Sequence, residues 1–99
     1  MKLEFVQGHS RDVAALKAYA QERLALYAER YPSLGLAEHV RWVSDRVACG
    51  SYRGGSGTVT VDEREVRVEL SLPFFARPFR TRIEEFVRRE LARAAAASP

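Results

Sequence analysis

Apolar and polar residues alternate along "KLEFVQ", with Leu3 and Phe5 on one side and Lys2 and Glu4 on the other, which predicts a short first strand. "GHSRD" interrupts it, and Ser10 is the expected N-cap of a helix with Asp12 in its first turn. From there Val13, Leu16, Ala20, Leu24, Tyr27 and Tyr31 recur at spacings of three and four, one helical stripe that ends at "YPSLG". Glu22, Arg23, Glu29 and Arg30 fall off that stripe.

The period then changes to two. "EHVRWVS" puts Val40 and Trp42 on one side, "SDR" reads as a turn, and Val47 and Cys49 align in "RVACG", with Cys49 expected as a small buried hydrophobe. "SYRGGSG" reads as a glycine-rich interruption. "TVTVDE" and "EVRVELSL" then form the clearest hairpin. Val59 and Val61, then Val66, Val68, Leu70 and Leu72, supply apolar faces, and the tip is at Asp62–Arg64. The alternate positions (Thr58, Thr60, Glu65, Arg67, Glu69, Ser71) are polar, so one sheet face is expected to be wet. A last helix is predicted from about Pro78 to Arg93, followed by a frayed tail at 94–99. The order β-α-β-β-β-β-α makes the expected fold a single α+β domain over 1–99, a two-layer sandwich with two helices packed on one face of an antiparallel sheet.

The strand-to-helix corner "SLPFFARPFR" carries three phenylalanines, two prolines and two arginines. Pro73 ends the strand because it cannot donate to a ladder. Pro78 suits a first helical turn, and Arg77, preceding it, is expected outside the helical region. Phe79, Ile83, Phe86 and Val87 fall within roughly 100° of a helical wheel, so Phe79 and Phe86 are expected in the core. Phe74 and Phe75 are adjacent and must point different ways. If one caps the core, the other is at least half exposed, either as a contact point or over a satellite cluster.

Charge changes this picture only at the C-terminal end. Basic and acidic residues cancel, ten against ten, through Leu72, whereas six arginines face Glu84, Glu85 and Glu90 beyond it, which accounts for the net +3. Arg82, Arg89 and Arg93 follow i, i+7, i+11, while Glu84–Arg88 and Glu85–Arg89 are expected helical ion pairs. The edge is a candidate footprint for an anionic surface or nucleic acid. Fourteen arginines against two lysines, with fourteen alanines, equally fit a compositional bias and a solvated face. No apolar run spans a bilayer, "MKLEFVQGHS" has no secretory apolar region, and Cys49 is the only cysteine, so a cytoplasmic protein is expected.

Catalytic chemistry finds no support in the residues. His9, His39 and Cys49 have no metal spacing, and no metal or cofactor is expected. His9 beside Ser10 lacks the geometry of a base and nucleophile. "RGGSGT" has no phosphate-loop lysine, so it reads as a backbone nest for an anion or as a plain connection. Glu90, near the apolar stripe, is adequately explained by Arg93. The protein is expected not to be an enzyme.

The stretch "GSGTVTVDEREVRVELSLPFFARPFRTRIEEFVRREL" resembles the small polyhydroxyalkanoic acid system family proteins, bacterial polypeptides associated with polyester storage-granule gene regions. The likeness rests on Gly57, "VRVELSLPF" through Phe74, "RPF" at 77–79 and "IEEFVRREL" at 83–91, with "HS" at 9–10 and "WVSDRV" at 42–47 upstream. It implies a non-enzymatic binding or regulatory role at or near the granule, with the granule surface or a granule-associated protein as partner. The candidate contact residues are Phe74, Phe75, Arg77, Arg80, Arg82, Arg89 and Arg93. A nucleic-acid-binding regulator using the basic C-terminal helix is the alternative, on a layout like that of double-stranded-RNA-binding domains. A homodimer would form through the wet face or an edge strand.

Overall fold

The period-two segments pair as five antiparallel strands, β1 (Lys2–Gly8), β2 (Val40–Trp42), β3 (Val47–Tyr52), β4 (Gly55–Val61) and β5 (Glu65–Ser71), in the order β1-β5-β4-β3-β2. This is seen in a computed structural model that describes residues 1–96. Helices α1 (Val13–Arg30) and α3 (Arg80–Ala96) cover one face, and the four-residue α2 (Leu36–His39) precedes β2. The chain is thus the expected α+β sandwich. Ala94–Ala96 close α3, and the remainder of the expected tail, 97–99, lies outside the described residues.

Register decides which residues become core. Phe5 lies opposite Val68, Val68 opposite Val59, Val59 opposite Ala48, and Ala48 opposite Trp42, so one apolar row crosses all five strands. Leu3, Phe5, Val61, Val66 and Val68 are buried there with Leu16 of α1 and Leu91 of α3. The opposite face carries Glu4, Glu69, Thr58, Cys49 and Arg41 in one row, wet as expected. Cys49 therefore does not join the core. Because Ala48 is the residue opposite Val59, Val47 and Cys49 point to the wet side, where Cys49 Sγ lies 4.0 Å from Thr58 Oγ1.

The turns correct three local expectations. The glycine-rich interruption is mostly strand: β3 runs to Tyr52 and β4 starts at Gly55, so only Arg53 and Gly54 form the loop. Both have positive φ, 47° and 83°, as a two-residue hairpin matching strand twist demands. Ser10 is not the cap of α1. The amide of Arg11 donates to His9 Nδ1 at 3.0 Å, which commits the backbone around Ser10 to a turn, so the helix begins after Asp12. Arg77 is not excluded from helical geometry either. Residues Phe74–Phe79 form a 3-10 helix containing Pro78, and α3 proper starts only at Arg80. The tighter turns absorb the proline because Pro78 has no amide to leave unpaired.

The largest correction concerns α3. Phe79 and Phe86 are 55% and 41% exposed, and the residues facing the sheet are Ile83, Val87, Leu91 and Ala94. The apolar stripe of α3 is thus turned by about 50° from the one the phenylalanines suggest. Contacts with α1 explain the turn. Glu90 accepts hydrogen bonds from Arg23 at 2.9 and 3.2 Å and from the Tyr27 hydroxyl at 2.6 Å, while Arg93 lies 3.6 Å away. The Phe86 ring meets Tyr27 edge-on at 5.5 Å. Residues 11, 23 and 27 contact 94, 90 and 86 respectively, so the helices run antiparallel. The expected Glu84–Arg88 and Glu85–Arg89 pairs do not form. Glu84 accepts from Arg80 at 2.7 Å, and the Arg88 guanidinium lies over the Phe5 ring instead.

Partial burial pushes the Glu90 carboxyl up, but the bonds from Arg23 and Tyr27 outweigh it and hold it below its ordinary value. A depressed native pKa means stability that is present above the unfolded value, about 4.3, and is lost as pH falls through the native one. Urea melts at about pH 7 and about pH 3 should therefore differ less in Glu90→Gln than in the native chain. An unchanged difference would remove Glu90 as an acid-sensitive clamp. The turned stripe makes a second prediction. Leu91→Ala should lose about 2–5 kcal/mol of unfolding free energy, and Phe79→Ser less than about 1. Equal losses would restore Phe79 to the core.

Candidate interaction surface

Chain direction sorts the connections into two ends. The C-termini of α1, β3 and β5 and the N-termini of β1, β2, β4 and α3 all lie at one end, with the 3-10 helix Phe74–Phe79. The opposite end holds the β1–α1 and β4–β5 connections and is closed by polar bonds. His9 Nδ1 accepts from Arg11, so Nε2 carries the proton and donates to the Asp62 carbonyl at 2.7 Å. Asp62 Oδ1 accepts from the amides of Arg64 and Glu65, both at 2.7 Å, and these bonds hold its carboxyl below the usual range. Both ring nitrogens of His9 are thus engaged in tying two connections together. His39 sits at the other end, so the two histidines share no site.

The first end is where apolar side chains meet solvent. Phe74 is 84% and Phe75 59% exposed, their rings edge to face at 6.0 Å, so neither caps the core. Phe79 follows on the same 3-10 helix, and Tyr31 is exposed at the end of α1, stacked on Tyr27 at 6.4 Å. Pro73 and Pro78 bracket Phe74 to Arg77 with fixed φ, so this apex is held stiffly while the Phe74 and Phe75 rings stand largely in solvent. Pro73 itself lies against the β3–β4 hairpin, with Cδ 3.5 Å from where a Cβ on Gly55 would stand.

Of the candidate contact residues, the structure brings together Phe74, Phe75, Arg77 and Arg80, all on or beside the apex. Arg82 is one half-turn into α3. Arg89 and Arg93 share its helical side but stand about 10 and 16 Å farther along, toward the opposite end. Arg80 is held by Glu84 and Arg93 lies near Glu90, whereas Arg77, Arg82 and Arg89 have no carboxylate within 4 Å among the described residues. The basic stripe therefore runs away from the aromatic apex rather than around it.

On the helix side of the same end the sheet is partly uncovered, leaving a groove of about 320 Å³. Its floor is a row in which Leu70 is followed by Gly57, Gly50 and Val40, and its walls include Leu36, His39, Tyr52 and Leu72. The sequence reading missed it. Its signal was glycine at every second position of one strand (Gly55, Gly57) with Gly50 opposite, which removes side chains from a single face.

No helix among the described residues is long and apolar enough to cross a membrane. No curated protein and no solved structure matches the chain. A family model described as "Putative polyhydroxyalkanoic acid system protein" matches residues 3–94, from the first core residue of β1 to Ala94 near the end of α3. The chain belongs to the polyhydroxyalkanoic acid system protein family.

Proposed function

We propose that this protein is a non-enzymatic docking protein of the polyhydroxyalkanoate storage system, which contacts a granule or its protein coat through the Phe74–Arg80 apex. The observation that carries the reading is a pair of adjacent phenylalanines held out in solvent by a proline-bracketed 3-10 helix. Phenyl rings left in water forgo roughly 25 cal/mol for every Å² that burial would remove, so a stiff protrusion of them favours an apolar or amphiphilic counter-surface. Arg77, which has no carboxylate within 4 Å among the described residues, adds positive charge at the margin, the combination by which peripheral proteins hold to an apolar phase bearing an anionic coat. Stiffness also favours binding, because little chain entropy remains to be lost on contact.

Membership of the family supports a role connected with polyhydroxyalkanoates. Two of the side chains that would serve chemistry have structural employment: His9 bridges two connections, and Glu90 clamps two helices. These occupations favour binding over catalysis.

The double variant Phe74→Ser/Phe75→Ser should keep the fold, since both rings are largely exposed and outside the core, and should lose at least about tenfold of its co-sedimentation with isolated granules. Bare polyester and coated granules, compared side by side, distinguish adsorption to polymer from contact with a coat protein. A folded double variant that co-sediments as well as the native chain would overturn the apex as the docking element.

A further inference from the structure

The apolar groove beside the apex is a second feature, separate from the exposed phenylalanines. Its lining is almost wholly carbon, from Leu36, Val40, Val59, Leu70 and Leu72, with the His39 and Tyr52 rings edge to face at 5.3 Å along one side. A ligand body that needed hydrogen bonds would lose them there without replacement. A volume of about 320 Å³ is at the small end of the range for small-molecule sites, large enough for a slender chain. The glycine row is overlaid by apolar side chains from the neighbouring strands. A Cβ on Gly57 would meet Leu70 Cδ2 at 2.9 Å, and one on Gly50 would meet Val40 Cγ2 at 3.1 Å, so the neighbouring side chains already lean across both glycines.

The rim differs from the floor. Arg53, the residue after Tyr52, lays its guanidinium over the Tyr52 ring, 5.2 Å from the centroid. Among the described residues it has no carboxylate within 4 Å, whereas Arg46 pairs with Glu63, Arg67 with Glu4 and Glu65, and Lys17 with Asp45. Arg53 also holds a φ of 47°, a position where asparagine or glycine would sit with less strain. An apolar trough with an unpaired guanidinium stacked at its rim is complementary to an apolar chain with one anionic end.

We infer that the groove between α2, β3, β4 and Leu72 binds a medium-length aliphatic carboxylic acid, its chain against the Val40 and Leu70 side chains that overlie the glycine row and its carboxylate at Arg53. The inference goes beyond docking at the granule. It concerns a free acid in solution, and it stands or falls without any granule present.

The test is a titration of the full chain with octanoate and, separately, with octan-1-ol, followed by amide shifts of Gly50, Gly55 and Gly57. Octanoate should move these three glycines and bind more tightly than the alcohol. Arg53→Asn, which suits the left-handed turn and so preserves the hairpin, should weaken octanoate about tenfold and leave the alcohol unchanged. Gly55→Leu should abolish both. Its Cβ has ordinary clearance, 3.4 Å from the Ser71 carbonyl, and the longer side chain would fill the open end of the trough. Equal binding of acid and alcohol with no effect of Arg53→Asn would overturn the assignment of the carboxylate. Shifts centred on Phe74–Phe79, or no shift at saturating octanoate, would overturn the groove as the site.

Discussion

The contact on which the rest of the molecule depends is the one between Glu90 and the pair Arg23 and Tyr27. A half-buried carboxylate must be paired, and removing one partner of such a cluster leaves the other uncompensated. Glu90 therefore has to face α1, and because side chains on a helix are fixed to one another, that choice orients everything else on α3. Ile83, Val87, Leu91 and Ala94 turn onto the sheet, Phe86 comes against Tyr27, and Phe79 is carried outward at the helix start. The apolar apex is a consequence of this rotation as much as of its own prolines.

Local periodicity made the fold legible and the helix orientation illegible, for the same physical reason. Strand register follows from alternation within a few residues, so Leu3, Phe5, Val61, Val66 and Val68 can be assigned to one face directly. A helix wheel locates an apolar stripe only if the residues counted are those that pack. On α3 the large rings Phe79 and Phe86 pulled the apparent stripe aside, while Leu91 and Ala94 completed the true one. Arg23 and Glu90 are 67 residues apart, and no spacing rule links them. Cys49 and Ala48 pose the analogous problem in the sheet. Cysteine ranks as the more buried type, yet the register opposite Val59 selects alanine.

The candidate surface was legible in part. That Phe74 and Phe75 could not both enter the core followed from adjacency alone, and "LPFFARP" announced a stiff corner. What no local pattern could show is that the chain's direction gathers Tyr31, the Arg53–Gly54 turn and the Phe74–Phe79 helix at one end. That is a property of topology: each of those segments is a connection on the same side of an antiparallel sheet. The arginines read as one basic face separate for a related reason. A stripe at i, i+7, i+11 necessarily extends along the helix axis, away from an apex at its start.

Apex and groove can be traced to a single shortage of cover. Five strands spaced about 4.8 Å apart span roughly 19 Å, about the width that two helices packed 8–10 Å apart can shield. Here the two long helices do not lie centred. α3 packs beside β1 and α1 over β4, leaving the β3–β2 side to a four-residue helix. Where cover is missing, a sheet either carries polar side chains on that face or carries none. Gly50, Gly55 and Gly57 take the second course, and Val40 and Leu70 lean over two of them, which leaves a shallow trough of carbon rather than a wet surface. At the opposite end the same problem is solved with polar bonds among His9, Arg11, Asp62 and Arg64. The molecule is consequently sided, with one end tied shut by hydrogen bonds and the other left apolar.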